Sequence, residues 1–295
     1  MKTPVFTGSS VAIITPFKDG AVDYDKLARL IDCQLERGTD AITACGTTGE
    51  GASLSFDEHT EIVRFCVKRV NKRVPVIAGS GSNCTEKALT LSKACCDAGA
   101  DALLIVTPYY NKTTQQGLRD HFTYIADRVD RPVILYNVPS RTGMTISRET
   151  YRELSPHPNI NGVKEASGSH SIVQSIMRDC GGDLNVWCGN DDDIVPMMSL
   201  GAVGVISAAA NVIPGVISDI AHACLESDFK AARALQIEYS DLIAALFYQV
   251  NPIPVKAAMN IMGLGVGIPR MPLCDLTEKE RAALRCVMDR SSNIR

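Results

Sequence analysis

Eight short apolar runs, each followed by a stretch of helical period, limit what this chain can fold into more than any other feature. In order they are SSVAIITPF, DAITACGTT, VPVIAGSG, DALLIVTPYY, RPVILYNVPS, INGVKEAS, LNVWCGND and VGVISAAAN. Near-continuous apolar character without alternation is what parallel strands covered on both faces require. Between them, DYDKLARLIDCQLERG, FDEHTEIVRFCVKRV and TEKALTLSKACCDAGA return apolar residues every three or four positions, and a Gly often closes the pattern. Such alternation predicts an α/β fold, a (β/α)8 TIM barrel over residues 1–225, because an open doubly wound sheet usually has fewer strands. From residue 226 the strand pattern stops. DFKAARALQIEYSDLIAALFYQV and TEKERAALRCVMDR read as helices with NPIPVKAAMNIMGLGVGIPRMP between them, a C-terminal helical appendix over residues 226–295.

Several function classes fall away. A formal charge of -3 and a pI near 6.0, with no basic cluster interleaved with aromatics, predict no nucleic-acid partner. The 11 cysteines are odd in number and scattered, with no C-x-x-C pair, so most read as small buried hydrophobes of a reducing cytoplasm. The N-terminal MKTPVFTGSSVAIITPF has no cleavage site after a signal core, and no export is expected. VGVISAAANVIPGVISDIAHACL carries Asn211, Pro214, Asp219 and His222, which suits a strand, a turn and a helix, so no membrane span is expected.

On a barrel, chemistry belongs to the C-terminal ends of the strands. Those ends read Thr15, Thr47 and Thr48, Ser80, Tyr109 and Tyr110, Tyr136, Lys164, Asn190 and Ser207: hydroxyls, one amine and no carboxylate pair. Lys164 is the anomaly, since a buried strand should not end in a charge that is costly to desolvate. An ordinary lysine, of pKa about 10.4, is protonated at neutral pH, so a nucleophilic one must be desolvated or set near another cation. A barrel mouth beside apolar walls supplies that condition. The alternative is a side chain that runs along the strand and leaves its ammonium in water. Glu165 should point to the opposite face of the strand and is not an automatic partner. Lys18 and Lys112 sit in polar turns, and Lys256 lies in the helical appendix.

A Schiff base needs proton transfers, and Tyr136, Tyr110 and Thr47 end strands from which a hydroxyl chain can cross the mouth. Each tyrosine can equally be a rim aromatic with a solvated hydroxyl. The GTTGE segment can hold a carboxylate with backbone amides and hydroxyls, and Arg141 in PSRTG can hold a second one or make a loop salt bridge. The five histidines show neither H-x-H nor H-E-x-x-H spacing, so no metal is expected. NDDD at residues 190–193 reads as a helix N-cap and acidic first turn. GSGSNC and GLGVG lack a full dinucleotide fingerprint.

GTTGE at 46–50, PYYNK at 108–112, YNVPSRTG at 136–143, GVKEASG at 162–168 and NPIPVK at 251–256 together resemble the dihydrodipicolinate synthase family of pyruvate-dependent class I aldolases. The resemblance runs over nearly the whole chain. It implies condensation of pyruvate with aspartate 4-semialdehyde to 4-hydroxy-tetrahydrodipicolinate, the entry to diaminopimelate and lysine synthesis, with no metal or organic cofactor. Lys164 would form the Schiff base, and Tyr136 and Thr47 would shuttle protons. Tyr110 would complete the relay of a neighbouring subunit across a tight dimer. Thr48 would bind the pyruvate carboxylate and Arg141 the semialdehyde carboxylate, while the backbones at Gly189 and Ile206 would shape the pocket. The family's usual assembly implies a homotetramer built from two tight dimers.

Relatives such as N-acetylneuraminate lyase and oxo-sugar-acid aldolases share the lysine and the GTTGE-like loop, but Arg141 in SRTG suits a short acidic aldehyde. A non-catalytic oxo-acid-binding barrel would have no need of Lys164, Tyr136, Thr47 and Tyr110 together. In lysine-sensitive members of the family a dimer-interface pocket corresponds to Ala52, Phe56, His59, Asn83, Lys87 and Tyr109. Phe56 replaces a histidine and Lys87 a glutamate, placing an ammonium where an acid should meet the ligand's ammonium, so inhibition by lysine is expected to be weak or absent.

Overall fold

The apolar runs become eight parallel strands in the computed structural model, which describes residues 1–291. They are β1 (Gly8–Ala12), β2 (Ala41–Ala44), β3 (Val76–Gly79), β4 (Ala102–Val106), β5 (Val133–Asn137), β6 (Ile160–Glu165), β7 (Asn185–Cys188) and β8 (Gly204–Ser207). Each pairs with the next in sequence, and β8 returns to β1 with Ser10 opposite Ile206, so the sheet closes on itself. The expected TIM barrel is the fold observed. Its strands are shorter than the apolar runs, because the last residues of each run leave the sheet to build the mouth.

Helices cover the barrel's outer face, and their apolar stripes bury against it. The helix Phe56–Val70 shows why such segments fold locally. Ser55 and Glu58 form a reciprocal capping box at its start, and Asn71 closes it in the left-handed region. From Phe229 four further helices follow: Phe229–Glu238, Ser240–Ala245, Ile253–Ile261 and Glu278–Arg290. The sequence reading missed a two-residue hairpin that pairs Phe17–Lys18 with Ala21–Val22. Its turn is Asp19-Gly20, both at positive φ, a pair favoured in such turns.

Inside the barrel the filling is a separate apolar cluster that includes Ile77, Leu104, Ile134, Trp187 and Ile206. The Trp187 indole needs Gly162 beside it, since a Cβ there would lie 2.6 Å from the ring. Phe6 stacks on Trp187 at 5.3 Å and accepts its indole N–H through the backbone carbonyl, which plugs the floor. Lys2 fastens the same end by donating to the carbonyls of Ser155, His157 and Ile160, each at 2.6 Å. With the floor closed, the opening lies at the strands' C-terminal ends. No helix among the described residues is long and apolar enough to cross a membrane.

Candidate active site

Strand register sets the two main candidates side by side. β5 and β6 pair Tyr136 with Lys164, and then Asn137 with Glu165. Alternation turns Tyr136 and Lys164 inward and their successors outward. Lys164 is 7% exposed, and its ammonium lies 4.7 Å from the centre of the Tyr136 ring. No ion pair among the described residues holds that amine. Gly189 leaves room for it, because a Cβ there would stand 2.7 Å from the Ala166 Cβ and 3.2 Å from the Lys164 Cε.

The GTTGE segment folds into a tight loop after β2. Cys45 and Glu50 both take left-handed backbone, and Gly51 presses on the Cys45 carbonyl where a Cβ would come to 2.2 Å. The Glu50 N–H donates to the Thr47 carbonyl at 3.0 Å, and the Thr15 hydroxyl donates to the Gly49 carbonyl at 2.7 Å. Beneath the loop lies a buried ion pair: Glu50 Oε1 is 2.5 Å from the Nζ of Lys256, and Glu50 Oε2 accepts the Arg270 backbone N–H at 2.8 Å. Lys256 does lie in an appended helix, as its sequence position suggests, yet it is fully buried against the 46–50 loop. Burial pushes the Lys256 amine's pKa down, and the Glu50 charge opposes that shift.

A cavity of about 130 Å³ opens at the mouth. Thr47, Thr48, Tyr136, Arg141, Lys164, Gly189 and Ile206 all line it, so residues from four strand ends and two loops converge on one space. Tyr110 does not join them. It is 91% exposed, has a left-handed φ of 69°, and does not line this cavity. A wider cavity of about 450 Å³ adjoins the first and shares Thr47, Tyr136, Arg141 and Asn251 with it. Ala52, His59 and Tyr109 line this outer space, whereas Asn83 does not and instead accepts from the Asn111 side chain through its carbonyl. Burial lowers the pKa of the His59 imidazole, and the Gly79 carbonyl, 2.7 Å from its Nε2, opposes that shift.

One site residue escaped sequence reasoning. Asn251, from the appendix, lines both cavities, donates to the Thr48 hydroxyl at 2.9 Å and accepts from Arg141 Nη2 at 3.5 Å through its carbonyl. The signal for it was the NPIPVK motif itself. The acidic run 190–193 does begin a helical turn, with Asp191, Asp192 and Asp193 in its first turn, but it departs from the expected cap. No side-chain cap forms there, since Asp191 instead accepts the amides of Ala208 and Ala209 at 3.1 and 2.9 Å. Asp193 pairs with His170 at 2.7 Å. Asp191 thus pins the turn after β8 at the cavity wall, and burial raises its pKa. Among the described residues no group of three His, Cys, Asp or Glu is placed to hold a metal ion.

The arrangement offers an unpaired buried amine, a phenol beside it, threonine hydroxyls on a strained loop and an arginine fork at the entrance. That set can form and resolve an imine on a small carbonyl acid. The chain matches the dihydrodipicolinate synthetase family over residues 5–290. A protein of Caldicellulosiruptor saccharolyticus named 4-hydroxy-tetrahydrodipicolinate synthase is 52% identical over 294 residues, covering 99% of each chain. The crystal structure of dihydrodipicolinate synthase from Aquifex aeolicus matches with a TM-score of 0.94 at 44% identity, over 96% of this chain and 97% of that one. The chloride-inhibited dihydrodipicolinate synthase of Acinetobacter baumannii, complexed with pyruvate, matches with a TM-score of 0.95 at 43% identity, over 98% and 99% of the two chains.

Proposed function

The chain belongs to the dihydrodipicolinate synthetase family, and from that premise we infer that it condenses pyruvate with L-aspartate 4-semialdehyde to 4-hydroxy-tetrahydrodipicolinate, in diaminopimelate and lysine biosynthesis. It is a lyase. The similarity favours neither an N-acetylneuraminate or oxo-sugar-acid aldolase nor a non-catalytic barrel. The observation that carries the assignment of roles is the unpaired amine of Lys164 on the inner cavity, with Tyr136 against it.

In this reading Lys164 attacks the pyruvate ketone and expels water to give an iminium ion, with protons relayed by Tyr136 and Thr47. Loss of a proton from the methyl group gives an enamine, whose carbon adds to the aldehyde. The acceptor's amino group then closes on the former ketone carbon and displaces Lys164. Thr48 and the loop amides hold the pyruvate carboxylate, and Arg141 receives the acceptor's carboxylate where the two cavities meet. Gly189 and Ile206 shape the wall. The exposed Tyr110 serves a neighbouring subunit's relay in this reading, within a tight dimer and a homotetramer of two such dimers. The proposed compartment is the cytoplasm, and no metal or cofactor has a role in these steps.

Inhibition by lysine is weak or absent in this reading, because Phe56 and Lys87 stand where lysine-sensitive relatives carry a histidine and a glutamate, which sets a cation against an incoming ammonium. An inhibition midpoint well below a millimolar would sink that view. The test of the whole mechanism is borohydride reduction in the presence of pyruvate, followed by peptide mass spectrometry. A pyruvate-derived mass on Lys164 is the expected result. An unlabelled, folded protein overturns the mechanism.

A further inference from the structure

Glu165 follows the nucleophile in sequence and takes no part in the steps above, yet it is 1% exposed and has no salt-bridge partner among the described residues. A buried carboxylate without a cation is expensive unless several donors satisfy it. Here they do. The Asn137 amide lies 3.0 Å from both carboxylate oxygens, the Tyr151 hydroxyl donates at 2.8 Å, and the Ser167 backbone N–H donates at 2.8 Å.

We propose that Glu165, Asn137 and Tyr151 form a latch behind the strands that sets the relation between Lys164 and Tyr136, which makes them positioning residues for the reaction. The inference rests on the reading of Lys164 as the nucleophile. Its geometry follows from register: Asn137 and Glu165 are the pair directly after Tyr136 and Lys164, turned to the outer face. Tying that outer pair together therefore fixes the spacing of the inner pair.

The latch reaches beyond the two strands. Asn137 also donates to the Thr145 hydroxyl at 3.1 Å and accepts the Ile146 N–H at 3.1 Å, which ties in the turn that carries Arg141. Tyr151 brings in the helix Arg148–Leu154. The donor set specifies an ionised acid, since a carboxylate only accepts while a neutral amide would turn N–H groups towards donors. Burial and the Glu165 charge both raise the Tyr151 phenol's pKa, so it remains a donor.

The test compares wild type with Glu165→Gln and Tyr151→Phe, the second removing a single hydroxyl in case the first fails to fold. Steady-state kinetics and the rate of borohydride trapping by pyruvate are measured at a temperature where circular dichroism shows each variant native. The latch predicts that kcat falls about 30-fold for Glu165→Gln and several-fold for Tyr151→Phe, with KM for pyruvate within about threefold, because orientation is lost and not binding. A purely structural role would lower stability and leave kcat of the folded variant unchanged. Native variants with kcat within twofold of wild type overturn the latch while the mechanism stands. A wild-type protein that neither condenses the substrates nor labels at Lys164 overturns both.

Discussion

Replacing Lys256 with methionine should cost more than any surface change in this protein. The ammonium is fully buried and lies 2.5 Å from Glu50 Oε1, and Glu50 is itself only 4% exposed. Removing one member of a buried pair leaves the other charge uncompensated, which typically costs about 3–5 kcal/mol. Replacing both with uncharged groups removes the penalty together with the attraction, so Glu50→Gln/Lys256→Met should lie within about 1–2 kcal/mol of wild type. Glutamine at position 50 keeps an oxygen for the Arg270 N–H, so Glu50→Gln alone should cost somewhat less than Lys256→Met. The four proteins form a double-mutant cycle whose coupling term should reach at least about 3 kcal/mol. Urea denaturation at fixed protein concentration and low temperature measures it, fixed because any assembly couples to stability. Additive effects of the two substitutions, or a Lys256→Met variant within about 1 kcal/mol of wild type, would refute the reasoning.

Gly189→Ala should slow borohydride trapping about tenfold or more with a small change in Tm, because the new Cβ enters the space of Ala166 and Lys164; unchanged trapping would count against that crowding. Glu58 is held down to about 2, first by the hydrogen bond from Arg270, against an ordinary value of 4.5. Its stabilisation is therefore complete above the unfolded value and disappears as pH falls towards 2, an effect of about 1 kcal/mol once the partial exposure of the pair is allowed for. Comparing the acid-unfolding profile with that of Glu58→Gln measures it. His121 is held at about 4 by burial, below its ordinary 6.5, so it is neutral when folded. The unfolded chain then binds the extra proton between these values, and stability should fall by up to about 3 kcal/mol as pH drops from 6.5 to 4. A His121→Gln profile as steep as wild type in that interval would contradict this assignment.

The barrel was legible because parallel strands buried on both faces leave near-continuous apolar runs, a signal that survives without knowledge of their neighbours. Lys164 was legible for a related reason, as a charge where such a strand should have none. Lys256 was not. Its segment reads only as part of a helical appendix, and closure of the fold alone brings it under a loop formed by residues 46–50. The same holds for Asn251, whose partners Thr48 and Arg141 come from two distant loops. Asp191 lies in a helical first turn as its sequence suggests, but its partners were not legible, because the amides it meets belong to the turn after β8. Tyr110 was legible as a member of a motif, but its exposure goes with a left-handed backbone that residue type alone does not announce.

Trp187, part of the barrel's filling, is the chain's single tryptophan and is fully buried. In the β6–β7 ladder it stands opposite Lys164. The enzyme consequently contains one indole fluorophore, one strand away from the atom expected to form the imine. Its emission should be blue-shifted in the apolar interior and move to the red only when the barrel opens. Because no second indole adds background, a change in intensity as pyruvate is added would report formation of the covalent intermediate, in real time and without a label.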